Sequence, residues 1–247
     1  MIICKTEEQI RIMAEAGKKL ARIMEKLEKM VKPGLTTENL NRVAETLIFE
    51  CGAIPVFKGY EGFPAALCTS VNHQLVHTPP SDYCLKSGDI LTLDLGLKYR
   101  GFCADMAKTM AVGKIKPEAA FLIETTKKAL EIGIKKLKPN HTFGDVSAAI
   151  QKFVEERGFQ VVRELCGHGI GKELHEDPQI LNYGRPGEGE KIKEGMVVCL
   201  EPMVTVGHWR LKKSADGFGY ETADGSLSCH FEHTVAVTSR SPLILTK

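Results

Sequence analysis

The sequence predicts an α+β fold with internal pseudo-twofold duplication: a curved antiparallel sheet covered on one face by helices. Three observations predict it. First, Lys86-Ser87-Gly88-Asp89-Ile90-Leu91-Thr92-Leu93-Asp94 lines up without gaps on Lys193-Glu194-Gly195-Met196-Val197-Val198-Cys199-Leu200-Glu201, an offset of 107. Each copy is a basic-Gly turn, an apolar strand and a terminal carboxylate. Second, Lys32-Pro33-Gly34-Leu35-Thr36 lines up on Lys138-Pro139-Asn140-His141-Thr142 at an offset of 106, and the helices that follow stop at Gly52 and Gly158. Third, each half reads as two helices followed by strands, the pattern of a layered α+β unit. No linker or low-complexity segment divides the halves, about 1–113 and 114–247, so residues 1–247 are expected to form a single domain.

The elements follow in order. Thr6-Glu7-Glu8-Gln9 has the form of a capping box, and apolar residues from Ile10 to Leu27 recur at helical spacing until Pro33-Gly34. A second helix runs from Thr36 or Thr37 to Cys51, ended by Gly52. The stretch 54–80 is rich in Gly, Pro and aromatics and reads as loop. A strand over 89–95 turns at Tyr99-Arg100-Gly101 into a second strand over 105–112. The second half gives helices over 117–137 and 142–157, then strands over 161–164, 196–206 and 231–238.

Bulk properties exclude several classes. Hydrophobic residues make up 43% and charged residues 26%, with a net charge of +2, so neither a nucleic-acid surface nor a membrane is called for. The eight cysteines contain no CxxC pair, which points to reduced thiols in a cytoplasmic protein. The N-terminus, Met1 to Glu8, is charged within its first five residues and does not read as a signal peptide, and no apolar run approaches a membrane span.

An acid that ends a buried strand is costly unless something compensates it. Asp94 and Glu201 are two such acids at matched places, so a shared site between the halves is expected, with metal as the compensation. Asp105 lies 11 residues after Asp94, across a hairpin that can bring both carboxylates to one face. His168 stands in Gly167-His168-Gly169-Ile170-Gly171, and Glu232 follows Glu201 by 31 residues. Taken singly, each is an ordinary turn or strand-end residue; the duplicated frame gives the set its weight. Four carboxylates and one imidazole suit two divalent ions, with Mn, Co or Fe favoured and Zn possible. His73 and His77 form HxxxH, but Asn72 and Pro79-Pro80 bracket them in a loop and the Glu of HExxH is missing, so they are not read as a zinc pair.

Asp94 with Asp105, Cys166-Gly167-His168-Gly169-Ile170-Gly171, His175-Glu176-Asp177-Pro178, Glu201-Pro202 and Glu232-His233-Thr234 resemble the type I methionine aminopeptidases of the pita-bread fold, over nearly the whole chain. The resemblance implies removal of N-terminal methionine from peptides and nascent proteins by metal-activated water. It implies two metal ions per chain on Asp94, Asp105, His168, Glu201 and Glu232, with Asp105 and Glu232 bridging. It casts His77 as the histidine facing the scissile amide, His175 as the contact to the carbonyl, and Glu201 as the proton carrier. It places Tyr60, Phe63, Cys68, His77 and Phe218 around the methionine side chain. A ribosome contact, with Lys212-Lys213 as one surface, and a monomeric state are family expectations. Val76 stands where Cys is frequent, Glu61 where His is, Leu174 where an aromatic is, and Phe218 where Trp is; these touch the pocket rim and leave the ligand set whole. A related X-Pro aminopeptidase or prolidase is the rival reading, though those carry a further N-terminal domain. A non-catalytic binding protein on the same fold would be expected to have lost ligands.

Overall fold

The computed structural model describes residues 2–247. Helix α1 (Glu7–Met30) starts where expected: the Thr6 hydroxyl accepts from the Gln9 N–H at 3.3 Å and the Gln9 side chain accepts from the Thr6 N–H at 3.0 Å. Its buried stripe runs from Met13 through Leu20 and Met24 to Leu27. Helix α2 (Thr37–Glu50) is capped by Thr36. A short β1 (Ile54–Pro55) and a 3-10 turn at Tyr60–Gly62 lead into β2 (Leu67–Val71) and β3 (Gln74–Val76). The hairpin β4 (Ile90–Tyr99) and β5 (Phe102–Ala111) turns at Arg100-Gly101, both at positive φ, as a two-residue hairpin loop requires.

The second half repeats the plan. Helix α3 (Pro117–Lys136) carries Pro at its first position, and α4 (Phe143–Glu155) has a Thr142/Asp145 capping box. Then come β6 (Gln160–Val161), β7 (Gly167–Gly169), β8 (Glu176–Ile180), β9 (Val197–Leu200) and β10 (Met203–Thr205). The hairpin β11 (Leu211–Lys213) and β12 (Tyr220–Thr222) precedes β13 (Ser228–His230), β14 (His233–Ala236) and β15 (Leu243–Ile244). The strand expected over 196–206 is broken in two, because Pro202 has no N–H for the ladder. The strand expected over 161–164 is only two residues and pairs with β10. The segment read as loop over 54–80 contains three short strands.

Among the described residues all strand pairs are antiparallel, in four hydrogen-bonded patches: β1 and β2 along one edge of β4 with β5 on the other; β15-β14-β9-β7-β8; β13-β10-β6; and β11-β12-β3. The duplication is visible in the backbone. The cap residues Thr36 and Thr142 each form an isolated antiparallel bridge, to Cys84 and Lys191. Gly52 and Gly158 both close a helix in the left-handed region, at φ 74° and 82°. Each half also has its own core. Leu20, Leu27, Leu40, Leu91, Leu93, Leu95 and Leu97 pack together in the first, and Leu122, Ile150, Val198, Leu200 and Val204 in the second. Along β4 the odd positions belong to that core, so the alternation turns Asp94 to the opposite face.

The halves meet along β5 and the β13–β14 segment, which run in opposite directions. Glu232 N–H donates to Ala107 O at 2.9 Å. On either side a threonine hydroxyl completes the ladder. Thr234 Oγ1 accepts from Asp105 N–H at 3.0 Å and donates to Asp105 O at 2.8 Å. Thr109 Oγ1 accepts from His230 N–H at 3.0 Å and donates to His230 O at 2.8 Å. Thr234→Val, which keeps the shape and removes both bonds, is expected to cost roughly 1–3 kcal/mol in denaturant unfolding. Among the described residues, no helix is long and apolar enough to cross a membrane.

Candidate metal centre and active site

That seam sets two of the expected ligands. Asp105 is locked to Thr234, and Glu232 to Ala107, so the first half's acid and the second half's acid share one wall. The β4–β5 register pairs Asp94 with Ala107 and Gly96 with Asp105, which puts Asp94 and Asp105 diagonally adjacent on one face. Cys68 on β2 is opposite Asp94, on that same face. In the second half His168 is opposite Cys199, and Cys199 is opposite Thr234. Glu201 is two residues beyond Cys199, and the Leu200–His233 pair brings it to the level of Glu232. The expected five residues therefore converge. His168 Nε2 lies 3.6 Å from Glu201 Oε1.

The glycines around His168 have a packing role. A Cβ on Gly167 would meet the Cys199 carbonyl oxygen, and one on Gly169 the Asp177 carbonyl. Strand β7 is squeezed between β8 and β9, and only the bare backbone fits. His168 Nδ1 is 2.8 Å from Gly169 O, so Nδ1 carries the proton and Nε2 keeps its lone pair turned to the acids.

The electrostatics describe a site short of positive charge. Asp94, Asp105, Glu201 and Glu232 are all buried. Burial raises every one of their pKa values; the Asp105 charge adds to this for Asp94, Glu201 and Glu232, and Asp105 itself is pushed up to about 7. Asp94 Oδ1, Asp105 Oδ1 and Glu232 Oε1 are buried without a hydrogen-bond partner. Asp105, His168, Cys199 and Glu232 each place a ligating atom within 4.8 Å of the others. Orphaned carboxylate oxygens around one imidazole nitrogen are the donor set of a hard-to-borderline divalent ion, so the residues fit a metal. His168 is held neutral, down to about 3, by burial and the neighbouring His175, as a ligand must be.

The acids line the floor of a cavity of about 840 Å³. His175 stands on its wall, with Nδ1 2.8 Å from the Tyr60 hydroxyl and its ring edge-on to His168 at 4.4 Å. His77 faces the cavity from the residue after β3 and is held left-handed at φ 57°, a region that few non-glycine residues adopt. Enclosure, with His175 and Lys213 nearby, lowers it to about 4. Phe63 and Phe218 meet edge to face at 5.7 Å, and Cys68 packs against Phe63. Tyr60 is 40% exposed at the mouth. Every residue expected at the site is thus on this cavity. His73, in contrast, points outward and lies 3.4 Å from Glu221, apart from the acids.

Two neighbours were not anticipated. Cys199 sits among the expected ligands with its thiol 3.6 Å from Thr234 Oγ1; burial and the surrounding carboxylates, Glu232 first, keep it protonated. His230, 1% exposed, lines the cavity floor. Both are two residues before an expected acid, Cys199 before Glu201 and His230 before Glu232. The period of two along a strand puts such residues on the acid's face, and that signal could have found them.

Comparison with known proteins agrees with this geometry. Residues 11–239 match the model of metallopeptidase family M24. The chain is 48% identical to a methionine aminopeptidase of Clostridium perfringens, over 100% of this chain and 99% of that one. It superposes on the crystal structure of methionine aminopeptidase from Thermotoga maritima with a TM-score of 0.98 at 42% identity, covering both chains completely. The prolidase from Pyrococcus furiosus shares the fold, with a TM-score of 0.81 at 24% identity, over 99% of this chain but 65% of that one. The chain belongs to metallopeptidase family M24, within its methionine aminopeptidases.

Proposed function

We propose that this chain is a metal-dependent aminopeptidase that releases N-terminal methionine from peptides and nascent proteins. On this reading it works as one catalytic domain, with two divalent ions held by Asp94, Asp105, His168, Glu201 and Glu232. The observation that carries it is the convergence of four buried acids and the Nε2 of His168 on the floor of an 840 Å³ cavity, with three carboxylate oxygens unpartnered. Two ions balance the charge of four carboxylates; Mn, Co or Fe suits the oxygen-rich set, with Zn possible. Bound divalent ions supply a water that ionises near neutral pH and a Lewis acid for the scissile carbonyl.

The chain's own residues do the rest. Glu201, on the cavity floor beside His168, takes the proton of the attacking water and returns it to the leaving amine. His175 is steadied by Tyr60 and holds the carbonyl oxygen. His77 is neutral at working pH, so its N–H stabilises the tetrahedral species without adding a charge. Phe63, Phe218, Cys68, Tyr60 and His77 enclose an apolar, polarisable slot suited to a thioether. Phe63→Ala is expected to reduce discrimination between Met and Leu at the first residue by about 10-fold, since one pocket contact is worth ~1–3 kcal/mol; competition kinetics on Met-Ala-Ser and Leu-Ala-Ser checks this, and unchanged selectivity contradicts a lining role.

The proposal places the enzyme in the cytoplasm, acting on chains as they emerge, as a monomer. Lys212 and Lys213 give no support to a ribosome contact. Lys213 Nζ donates to Phe218 O at 3.0 Å and Lys212 pairs with Glu221 at 3.1 Å. The test of the function is a three-peptide panel with Mn(II) added to metal-stripped protein. Release of Met from Met-Ala-Ser, with little cleavage of Leu-Ala-Ser and none of Ala-Pro-Ala, is the expected result. Preferential cleavage before proline would move the chain to the X-Pro branch.

A further inference from the structure

Glu201 is flanked by two imidazoles. His168 Nε2 lies 3.6 Å from Oε1, and His230 Nε2 lies 3.6 Å from Oε2. The two rings are prepared differently. His168 gives its Nδ1 proton to the Gly169 carbonyl, which leaves the Nε2 lone pair free for an ion. His230 has no such acceptor: Nδ1 and Nε2 are both buried and both lack a hydrogen-bond partner. Nothing therefore prevents its single proton from residing on Nε2, towards Glu201.

The ring has little freedom to look elsewhere. Its backbone N–H and C=O are both tied to Thr109 Oγ1, and Thr109 is 2.7 Å from Thr92 Oγ1. The main chain of Glu201 is fixed as well, because its carbonyl accepts from Asn182 Nδ2 at 2.9 Å. A buried imidazole with two unmet nitrogens carries a desolvation cost that no hydrogen bond offsets. A small rotation of the Glu201 carboxylate brings Oε2 within the ~2.7–3.2 Å of an N–H···O bond and removes part of that cost.

We propose that His230 is a positioning residue for Glu201: its Nε2–H holds Oε2, so that Oε1 is presented to the ion beside His168. This rests on the reading of Glu201 as an ion ligand and proton carrier. The role divides the two oxygens of one carboxylate: Oε1 faces the ion, while Oε2 accepts from His230 with one lone pair and keeps the other for the proton that Glu201 carries. It is a task that neither the duplication nor the five-residue ligand set assigns to this histidine.

The test uses His230→Met, similar in size and without a donor, and His230→Gln, whose amide N–H can replace the donor. Both are compared with wild type by Mn(II) calorimetry on stripped protein and by kcat and KM on Met-Ala-Ser. Loss of an orienting partner is expected to weaken Mn(II) by about 10–100-fold and to lower kcat by a similar factor, with KM within about twofold. His230→Gln is expected to recover both to within about threefold of wild type. Wild-type affinity and kcat in His230→Met overturn the proposal, as does equal impairment of the two variants with both still folded by circular dichroism. The Co(II)-loaded protein gives a third reading. Loss of visible Co(II) bands in His230→Gln, as in His168→Gln, would make His230 an ion ligand and also overturn the donor role. If wild type binds Mn(II) but hydrolyses none of the peptides, the proposed function fails while the affinity arm still decides the role of His230.

Discussion

Glu201→Gln is expected to lower kcat on Met-Ala-Ser by roughly 10²–10⁴-fold, the range of a lost general acid–base. The reason is geometric. Glu201 lies on the cavity floor, its carboxylate between two imidazoles, and burial with the charges of Asp105 and Asp94 holds its affinity for a proton well above the ordinary carboxylate range. Gln keeps the shape and one ligating oxygen but cannot accept the proton. Metal content must be measured in the same preparation. An inactive variant that retains most of its metal assigns the loss to proton transfer; loss of both assigns it to ligation. Near-normal turnover would remove Glu201 from the mechanism altogether.

Removing the metal is expected to change stability as well as activity, and to change its pH dependence. In the metal-free chain Asp94, Glu201 and Glu232 hold protons well above the pH at which the unfolded chain has released them. Groups with raised carboxylate pKa values stabilise the fold at low pH, and that contribution is lost as pH rises towards the folded values. His168 and His230, both lowered to about 3, and His77 and His233, lowered to about 4, act in the opposite sense. They remain neutral in the fold while the unfolded chain charges, so their effect is to increase stability as pH rises to about 6.5. Below about pH 6.5 the two sets offset one another. Above about pH 7 the histidines are neutral in both states and only the carboxylates remain. The melting temperature of stripped protein is therefore expected to fall as pH rises above about 7 and the buried carboxylates give up their protons. With ions bound the acids are already ionised, the fall disappears, and metal uptake strengthens with pH because it releases protons. At a concentration 100 times Kd the ion adds about 2.7 kcal/mol, or roughly 5–10 °C for a chain of this size. Parallel scanning calorimetry with and without Mn(II) checks both slopes; identical pH profiles would contradict an ion at these acids.

The helices were legible because their end signals are local. Thr6 with Gln9, and Thr142 with Asp145, form the boxes that the side chains allow, and Gly52 and Gly158 end their helices in the left-handed conformation. The candidate ligand set was legible because Asp94 and Glu201 align in the repeat, which is a long-range statement written in one dimension; the strand ends were not, since Asp94 lies in the middle of β4 and only Glu201 directly follows its strand, β9. The interruptions were harder. Strands β3, β10 and β13 are three residues each, too short to show alternation, and are fixed by partners far away in sequence, as Ser228 is by Asn72 and Gln74. The β11–β12 hairpin, which brings Lys213 and Tyr220 to the cavity, has little apolar pattern of its own. The Thr109–His230 and Thr234–Asp105 links join residues more than a hundred positions apart, and no local signal announces them. His230 and Cys199 were open to a local signal, the period of two before Glu232 and Glu201, but using it needs strand limits that the sequence leaves loose.

The most direct test of the account is one titration of metal-stripped protein with Mn(II), in which ions bound per chain and Met released from Met-Ala-Ser are recorded together, for wild type and for Asp105→Ala. The account predicts no release in chelator, release that rises as the cavity acids take up metal, and loss of both uptake and release in Asp105→Ala. Full turnover in chelator, or an Asp105→Ala variant that releases Met normally, would contradict it.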